Sequence, residues 1–242
     1  MTPPLFLLDP LPDGDSLVLG GDEGRHAARV QRLQVGEALR VGDGRGAVCD
    51  CLVAEVLADG LRLAVLGRRT EPLPELRLVV VQALPKGDRG ELAVEMLTEL
   101  GVDEVVPWAA ARSITQWRDA RGAKALDRWR RIAREAAKQS RRLYVPVVAE
   151  LATTAHVADR VRAATGLVLH EGAAAPLAAA ALPRAGEVVL VVGPEGGIAA
   201  DELTEFAAAG GQAVRLGEPV LRTSTAGIAA LAALSVRLDR WQ

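Results

Sequence analysis

Over the last two thirds of the chain, short apolar runs alternate with stretches of helical periodicity. Leu76–Ala83 is apolar, bounded by turn residues, and predicts a strand. A loop follows at Pro85-Lys86-Gly87-Asp88, then Glu91–Leu100, where Leu92, Met96, Leu97 and Leu100 recur at helical spacing until Gly101. Val105-Val106-Pro107 reads as a short strand, and Asp127–Arg142 as a helix with Trp129, Ile132, Ala136 and Ser140 as its inner stripe. Leu167–Leu169 predicts a strand ending at His170-Glu171-Gly172. Val188–Val192 predicts a buried strand stopping at Gly193-Pro194-Glu195-Gly196-Gly197. A helix over Asp201–Ala209, a strand over Ala213–Leu216 and a final helix from about Thr225 complete the pattern; Ala173–Ala181 fits helix or loop. Such β-then-α units imply a mainly parallel sheet with helices on both faces.

The first seventy residues have a different texture. Leu39–Val41 and Ala47–Val53 flank the glycine-rich turn Gly42–Gly46, and Asp59-Gly60 leads into Leu61–Leu66, a β-rich pattern. Gly24–Leu33 is a short helical candidate that sets Arg25, Arg29 and Arg32 on one face, either a solvated face or phosphate contacts. Arg68–Glu75, with Pro72 and Pro74, reads as a linker, which predicts domains over residues 1–70 and 74–242.

Half the residues are hydrophobic and only 3% are aromatic, so the core is built from Leu, Val and Ala. No apolar run approaches the roughly 18 residues that span a membrane, and Met1-Thr2-Pro3-Pro4 lacks the start of a secretory signal, which points to the cytoplasm. Cys49 and Cys51 share one face of a strand-like run, and the three histidines are far apart, so neither a disulfide nor a metal site is expected. Net charge is −2, yet residues 112–142 hold 11 Lys+Arg against 3 Asp+Glu. A basic block in a mildly acidic chain is the footprint of a nucleic-acid partner. Arg131, Arg134, Lys138, Arg141 and Arg142 are candidates for phosphate contact, with Arg112, Gln139 and Lys86 beside them; Trp117 and Tyr144 are either stacking partners or core.

Neither a dinucleotide fingerprint, a Walker A loop nor a nucleophile elbow is present. What remains is the pair of loops Gly193–Gly197 and Leu216–Ala226. In an open α/β sheet, loops at the carboxyl ends of strands are where ligands bind.

Gly193-Pro194-Glu195-Gly196-Gly197, followed by Leu216-Gly217 and Leu221-Arg222-Thr223-x-Thr225-Ala226, resembles the C-terminal signature of the SPOUT-class 16S rRNA uridine-N3 methyltransferases, the RsmE type. Lys86-Gly87-Asp88, Thr98–Val102, Glu135-Ala136-Ala137-x-Gln139-Ser140-x-Arg142 and His26-x-x-Arg29-Val30-x-Arg32 are similar to further family motifs, in order along nearly the whole chain. The resemblance implies a PUA-like β-barrel, an α/β domain with a deep trefoil knot, a homodimer, and S-adenosylmethionine as methyl donor to one uridine of small-subunit rRNA. It implies a donor site formed by Leu169, His170, Glu171, Gly172, Gly193, Pro194, Glu195, Gly197, Leu216, Gly217, Val220, Leu221 and Thr223, with Arg222 and Glu195 as catalytic candidates. Arg222 would stabilise charge on the uracil oxygens, or else cap the strand or pair with Glu195 or Glu218. Ser224 stands where the family commonly has Glu, and Thr223 or Ser224 is suited to capping the last helix. A tRNA methyltransferase and a catalytically silent RNA-binding or ribosome-assembly protein are the competing readings.

Overall fold

A fully parallel six-stranded sheet forms the larger unit of the computed structural model, which describes residues 2–241. The strands are β6 (Leu76–Ala83), β7 (Glu104–Trp108), β8 (Val147–Val148), β9 (Thr165–Leu169), β10 (Gly186–Val192) and β11 (Gln212–Val214), in the order β11-β9-β10-β6-β7-β8. β6 and β10 sit at the centre, paired over their length from Leu76↔Gly186 to Gln82↔Val192. Both faces of these strands are buried, which explains why they read as unbroken apolar runs. One face carries Leu78, Val80, Leu190 and Val192 against α2 (Arg89–Glu99) and α6 (Thr223–Arg237); the other carries Val79, Val81, Val189 and Val191 against α4 (Thr154–Ala163) and α5 (Ala200–Ala208).

Where the pattern was unbroken, the predicted strands stand within a residue or two of the observed ones. The long helix α3 (Asp119–Gln139) begins two turns before the predicted Asp127, because its first turns are charged and carry no apolar stripe. It stops at Gln139, so Ser140 lies outside it, and Arg141 takes a left-handed φ of 59°. Helix α4 was not anticipated. Thr153 caps it, its Oγ1 accepting from His156 N at 3.3 Å, while Val157, Ala158 and Val161 are buried. Ala173–Ala181 resolves into a loop with one 3₁₀ turn at Leu177–Ala179. The last helix starts at Thr223, with Arg222 rather than Thr223 or Ser224 as the N-cap and no side-chain cap.

The smaller unit comprises the residues up to Leu73 together with Ala137–Val145. Its five strands are β1 (Leu5–Leu7), β2 (Ser16–Leu19), β3 (Ala38–Gly42), β4 (Ala47–Leu57) and β5 (Gly60–Thr70), ordered β1-β3-β4-β5-β2, with only β1 and β3 parallel. β1 and β2 were not predicted, being three and four residues long. β5 runs to Thr70, into the predicted linker, and residues 71–75 make the connection. Cys49 and Cys51 do share the inner face of β4 and are free thiols beside Leu39 and Leu63. The helical candidate is α1 (Gly21–Arg25) continued by a wide π turn over His26–Val30, and Arg32 lies beyond it with φ at 55°. Segment 137–145 belongs here through Leu143, which packs with Leu5, Leu7 and Val48, and through Tyr144, whose hydroxyl donates to Glu71 O at 2.5 Å. Among the described residues no helix is long and apolar enough to cross a membrane.

Candidate active site

The carboxyl ends of β9, β10 and β11 lie side by side, since Val191 pairs with Val168 and Leu169 with Val214. The chain leaving each strand end enters an irregular loop, and the three loops enclose a cavity of about 350 Å³. Leu169, His170 and Glu171 come from the first, Gly193, Pro194, Glu195 and Gly197 from the second, and Leu216, Gly217, Val220, Leu221, Arg222 and Thr223 from the third. The sheet thus gathers around one cavity nearly every residue expected at the donor site. Gly172 is the exception; it stands behind His170 and donates its amide to His170 Nδ1 at 3.1 Å, fixing the imidazole. Val192, Ile198, Val214, Arg215, Pro219 and Ala226 also line the cavity and were missed. Their apolar or flanking character distinguishes them from core residues only once the loops are in place.

Local chemistry explains the loop shapes. Gly197 has φ at 71°, a left-handed conformation that suits glycine, and its amide donates to Pro194 O at 2.9 Å to close a tight turn. A Cβ on Gly193 would come within 2.7 Å of Ile198 Cγ1, so the strand can meet its own returning loop only without a side chain there. Thr223 Oγ1 donates to Gly193 O at 2.6 Å and joins the second loop to the third. Glu202 anchors the helix that follows: its carboxylate accepts from Ala199 N at 3.0 Å and Ala111 N at 2.8 Å.

The polar groups divide into engaged and available. Glu195 Oε1 accepts from the amide of Lys86 at 3.1 Å and lies 3.6 Å from Arg89, so it ties the loop after β6 to the cavity. It does not pair with Arg222. The Arg222 guanidinium is exposed at the cavity wall and has no hydrogen-bond or ion-pair partner among the described residues. The backbone of Arg222 is well held, because its carbonyl accepts from Thr225 N and Ala226 N, both at 2.8 Å. The amides of Leu216, Gly217, Val220 and Leu221 are not used in backbone hydrogen bonds among the described residues. An adenine edge needs free backbone groups of this kind beside apolar side chains, so the cavity suits S-adenosylmethionine. Ser224 is buried in the first turn of α6. No cluster of three or more potential metal ligands occurs among the described residues.

The basic candidates are not equivalent. Arg131, Gln139 and Arg141 are exposed, Arg134 and Arg142 half-buried. Lys138 is turned inward, its Nζ 2.6 Å from Glu23, and is not displayed to a phosphate. Arg25 is paired with Asp22, and Arg29 with Asp59 at 2.9 Å, both at the surface. Arg112 donates to Gly196 O at 3.1 Å and so braces the Gly193–Gly197 loop, while the Lys86 side chain is exposed.

The chain is similar to known proteins along its length. Residues 71–235 match the RNA methyltransferase domain family and residues 19–63 the RNA methyltransferase PUA domain. The ribosomal RNA small subunit methyltransferase E of Mycobacterium bovis is 48% identical over 98% of this chain and 93% of that protein. The chain belongs to the ribosomal RNA small subunit methyltransferase E family. The Bacillus subtilis family member is 30% identical over 90% of this chain and 89% of its own. The crystal structure of the Neisseria gonorrhoeae family member bound to S-adenosyl methionine superimposes with a TM-score of 0.86 at 30% identity, covering 98% of both chains.

Proposed function

We propose that this chain transfers the methyl group of S-adenosylmethionine to N3 of one uridine in 16S rRNA of the small ribosomal subunit. The observation that carries the reading is the cavity at the ends of β9, β10 and β11, where free backbone amides meet the unpaired Arg222. Leu169, Leu216, Val220 and Leu221 would hold the donor, with the amides of Leu216, Gly217 and Leu221 at its adenine edge. When bound, S-adenosylmethionine supplies a methyl group already activated on a sulfonium. The protein's part is to align the acceptor nitrogen and exclude water. N3 gives up its proton to a solvent water as the uridine enters the site, the negative charge spreads onto the flanking uracil oxygens, and the Arg222 guanidinium stabilises it there. Glu195 acts as a positioning residue, since its carboxylate holds the Lys86 loop that borders the acceptor side.

The exposed arginines at 131 and 141, with Arg25, Arg29, Arg32, Arg134, Arg142, Gln139, Lys86 and Arg112, supply the RNA contacts. In this reading the N-terminal sheet closes as a PUA-like barrel, supported by the register shifts at Asp50/Cys51 and Val53/Glu55, which curl β4 against β5. The larger unit carries the deep trefoil knot of the SPOUT class. In this reading the protein is a cytoplasmic homodimer; the dimer is supported by α2 and α6, which pack together and leave Leu92, Met96 and Val236 exposed for a second copy to cover.

Methyl transfer from labelled S-adenosylmethionine to small subunits lacking the modification, with mapping of the product nucleoside, tests the proposal. A single N3-methyluridine is the expected result. Donor binding without transfer to any rRNA would overturn it in favour of a silent RNA-binding protein.

A further inference from the structure

The loop after β6 stands between two cavities. Its Lys86 amide holds Glu195 of the donor cavity, while Pro85 and Gly87 line a second space of about 250 Å³. That is below the roughly 300–1,000 Å³ usual for drug-sized small-molecule sites, a scale suited to one planar ring. Trp117 and Trp129 line one side, and three charged residues complete the wall: Lys124, Arg128 and the carboxylate of Glu91, which pairs with Arg128.

This wall is a built feature of the fold. The two indoles meet edge to face, centroids 4.9 Å apart and planes at 78°. Trp129 is almost fully buried and closes the core, whereas Trp117 is only partly buried and gives its remaining surface to the cavity. Two glycines make room for the pair. A Cβ on Gly90 would fall 2.5 Å from Trp129 Cζ2, and one on Gly122 would fall 3.0 Å from Trp117 Cβ. Thr115 Oγ1 donates to Pro85 O at 2.7 Å and pins the segment carrying Trp117 to the loop opposite. Arg128 is held by Glu91 at 2.6 Å, and Lys124 is exposed with no carboxylate partner among the described residues. An indole beside the uncompensated Lys124 and the Glu91-braced Arg128 suits a ligand that is both a flat ring and an anion.

We propose that this second cavity receives an unstacked base of the substrate RNA, near the methylated uridine in the strand. The base stacks on Trp117, and its phosphate is met by Lys124 and Arg128. The inference rests on the RNA methyltransferase reading above and adds to it a site for a neighbouring nucleotide. Stacking on an indole tolerates any base, so the site fixes the register of the strand without reading its sequence.

The test is steady-state methylation of small subunits, with S-adenosylmethionine affinity measured in parallel. Trp117→Ala is expected to raise KM for the RNA substrate about tenfold or more, with kcat and donor affinity little changed, and Trp117→Phe to restore most of the affinity. Lys124→Glu, an exposed change that leaves the packing intact, is expected to raise the same KM more than Arg121→Glu, which lies on the same helix outside the cavity. If Trp117→Ala also abolishes donor binding, its fold has suffered, and Trp117→Phe with the Lys124 and Arg121 pair decides. An unchanged KM in Trp117→Ala, or equal effects of Lys124→Glu and Arg121→Glu, overturns the site while leaving the methyltransferase reading intact. A wild-type protein that methylates no RNA overturns that reading, and this one with it.

Discussion

Gln82 donates its side-chain amide to Thr223 Oγ1 at 2.9 Å, across 141 residues of sequence. Thr223 passes the interaction on to Gly193 O, so a buried chain of two hydrogen bonds joins the end of β6, the start of α6 and the glycine loop after β10. The hydroxyl of Thr223 is therefore committed to the scaffold. Thr223→Val keeps the shape but strands the Gly193 carbonyl and one of the two Gln82 amide hydrogens, the other being held by Ala83 O at 3.0 Å, which costs about 1–3 kcal/mol. Urea unfolding should show that destabilisation, and calorimetric titration should show weaker S-adenosylmethionine binding. Unaltered values for both would mean the chain of bonds is incidental.

Arg222→Ala should slow transfer roughly 10²–10³-fold, the usual effect of removing one charge-stabilising donor. Donor affinity should stay within about threefold, because the backbone of Arg222, rather than its side chain, shapes the loop. Full single-turnover activity in this variant would remove Arg222 from the chemistry.

Gly193→Val places a side chain against Ile198, which is nearly fully buried and cannot swing clear. The loop must move, so donor binding should fall by about tenfold or more while the smaller unit keeps its fold. Equilibrium dialysis with labelled donor measures this, and unchanged binding would put the donor elsewhere.

The two thiols give a pH prediction. Burial, followed by the neighbouring Cys49, pushes Cys51 from 9.0 up to about 12, and burial raises Cys49 as well. A thiol whose native value is raised favours the fold fully below its unfolded value and gives up that contribution as pH rises toward the native one. Stability should therefore decline between about pH 9 and 12 from this source. Neither thiol should react with a disulfide reagent at pH 8 until the protein is unfolded, and rapid native labelling would show that β4 is open.

RNA affinity should fall with salt, and Arg131→Glu should make that fall shallower by roughly 0.7–0.9 in the log–log slope for each phosphate that Arg131 neutralises. Lys138→Gln should act differently. Its partner Glu23 is half-buried, so the change should lower thermal stability and leave the salt slope unchanged. Filter binding at several salt concentrations separates the two.

Elements with a strong pattern were legible in the sequence. β6 and β10 are apolar throughout because both faces are buried, and the loop after β10 announces itself by three glycines around Pro194 and Glu195. The first two turns of α3 and all of α4 were not, since charged first turns and a cap at Thr153 carry little periodic signal. The roles of Glu195 and Lys138 were hidden for another reason. Each depends on a partner, Lys86 or Glu23, more than a hundred residues away.

The sequence by itself determined the alternation of strands and helices, the basic block and the residue types of the two signature loops. These follow from local periodicity, composition and turn chemistry, which act over a few residues. The tertiary structure alone decided that the ends of β9, β10 and β11 align, that Arg222 is left unpaired while Glu195 is engaged, and that Lys138 faces inward. Those outcomes depend on strand order and register, where segments that the chain separates widely are brought together and burial sets which charges must find partners.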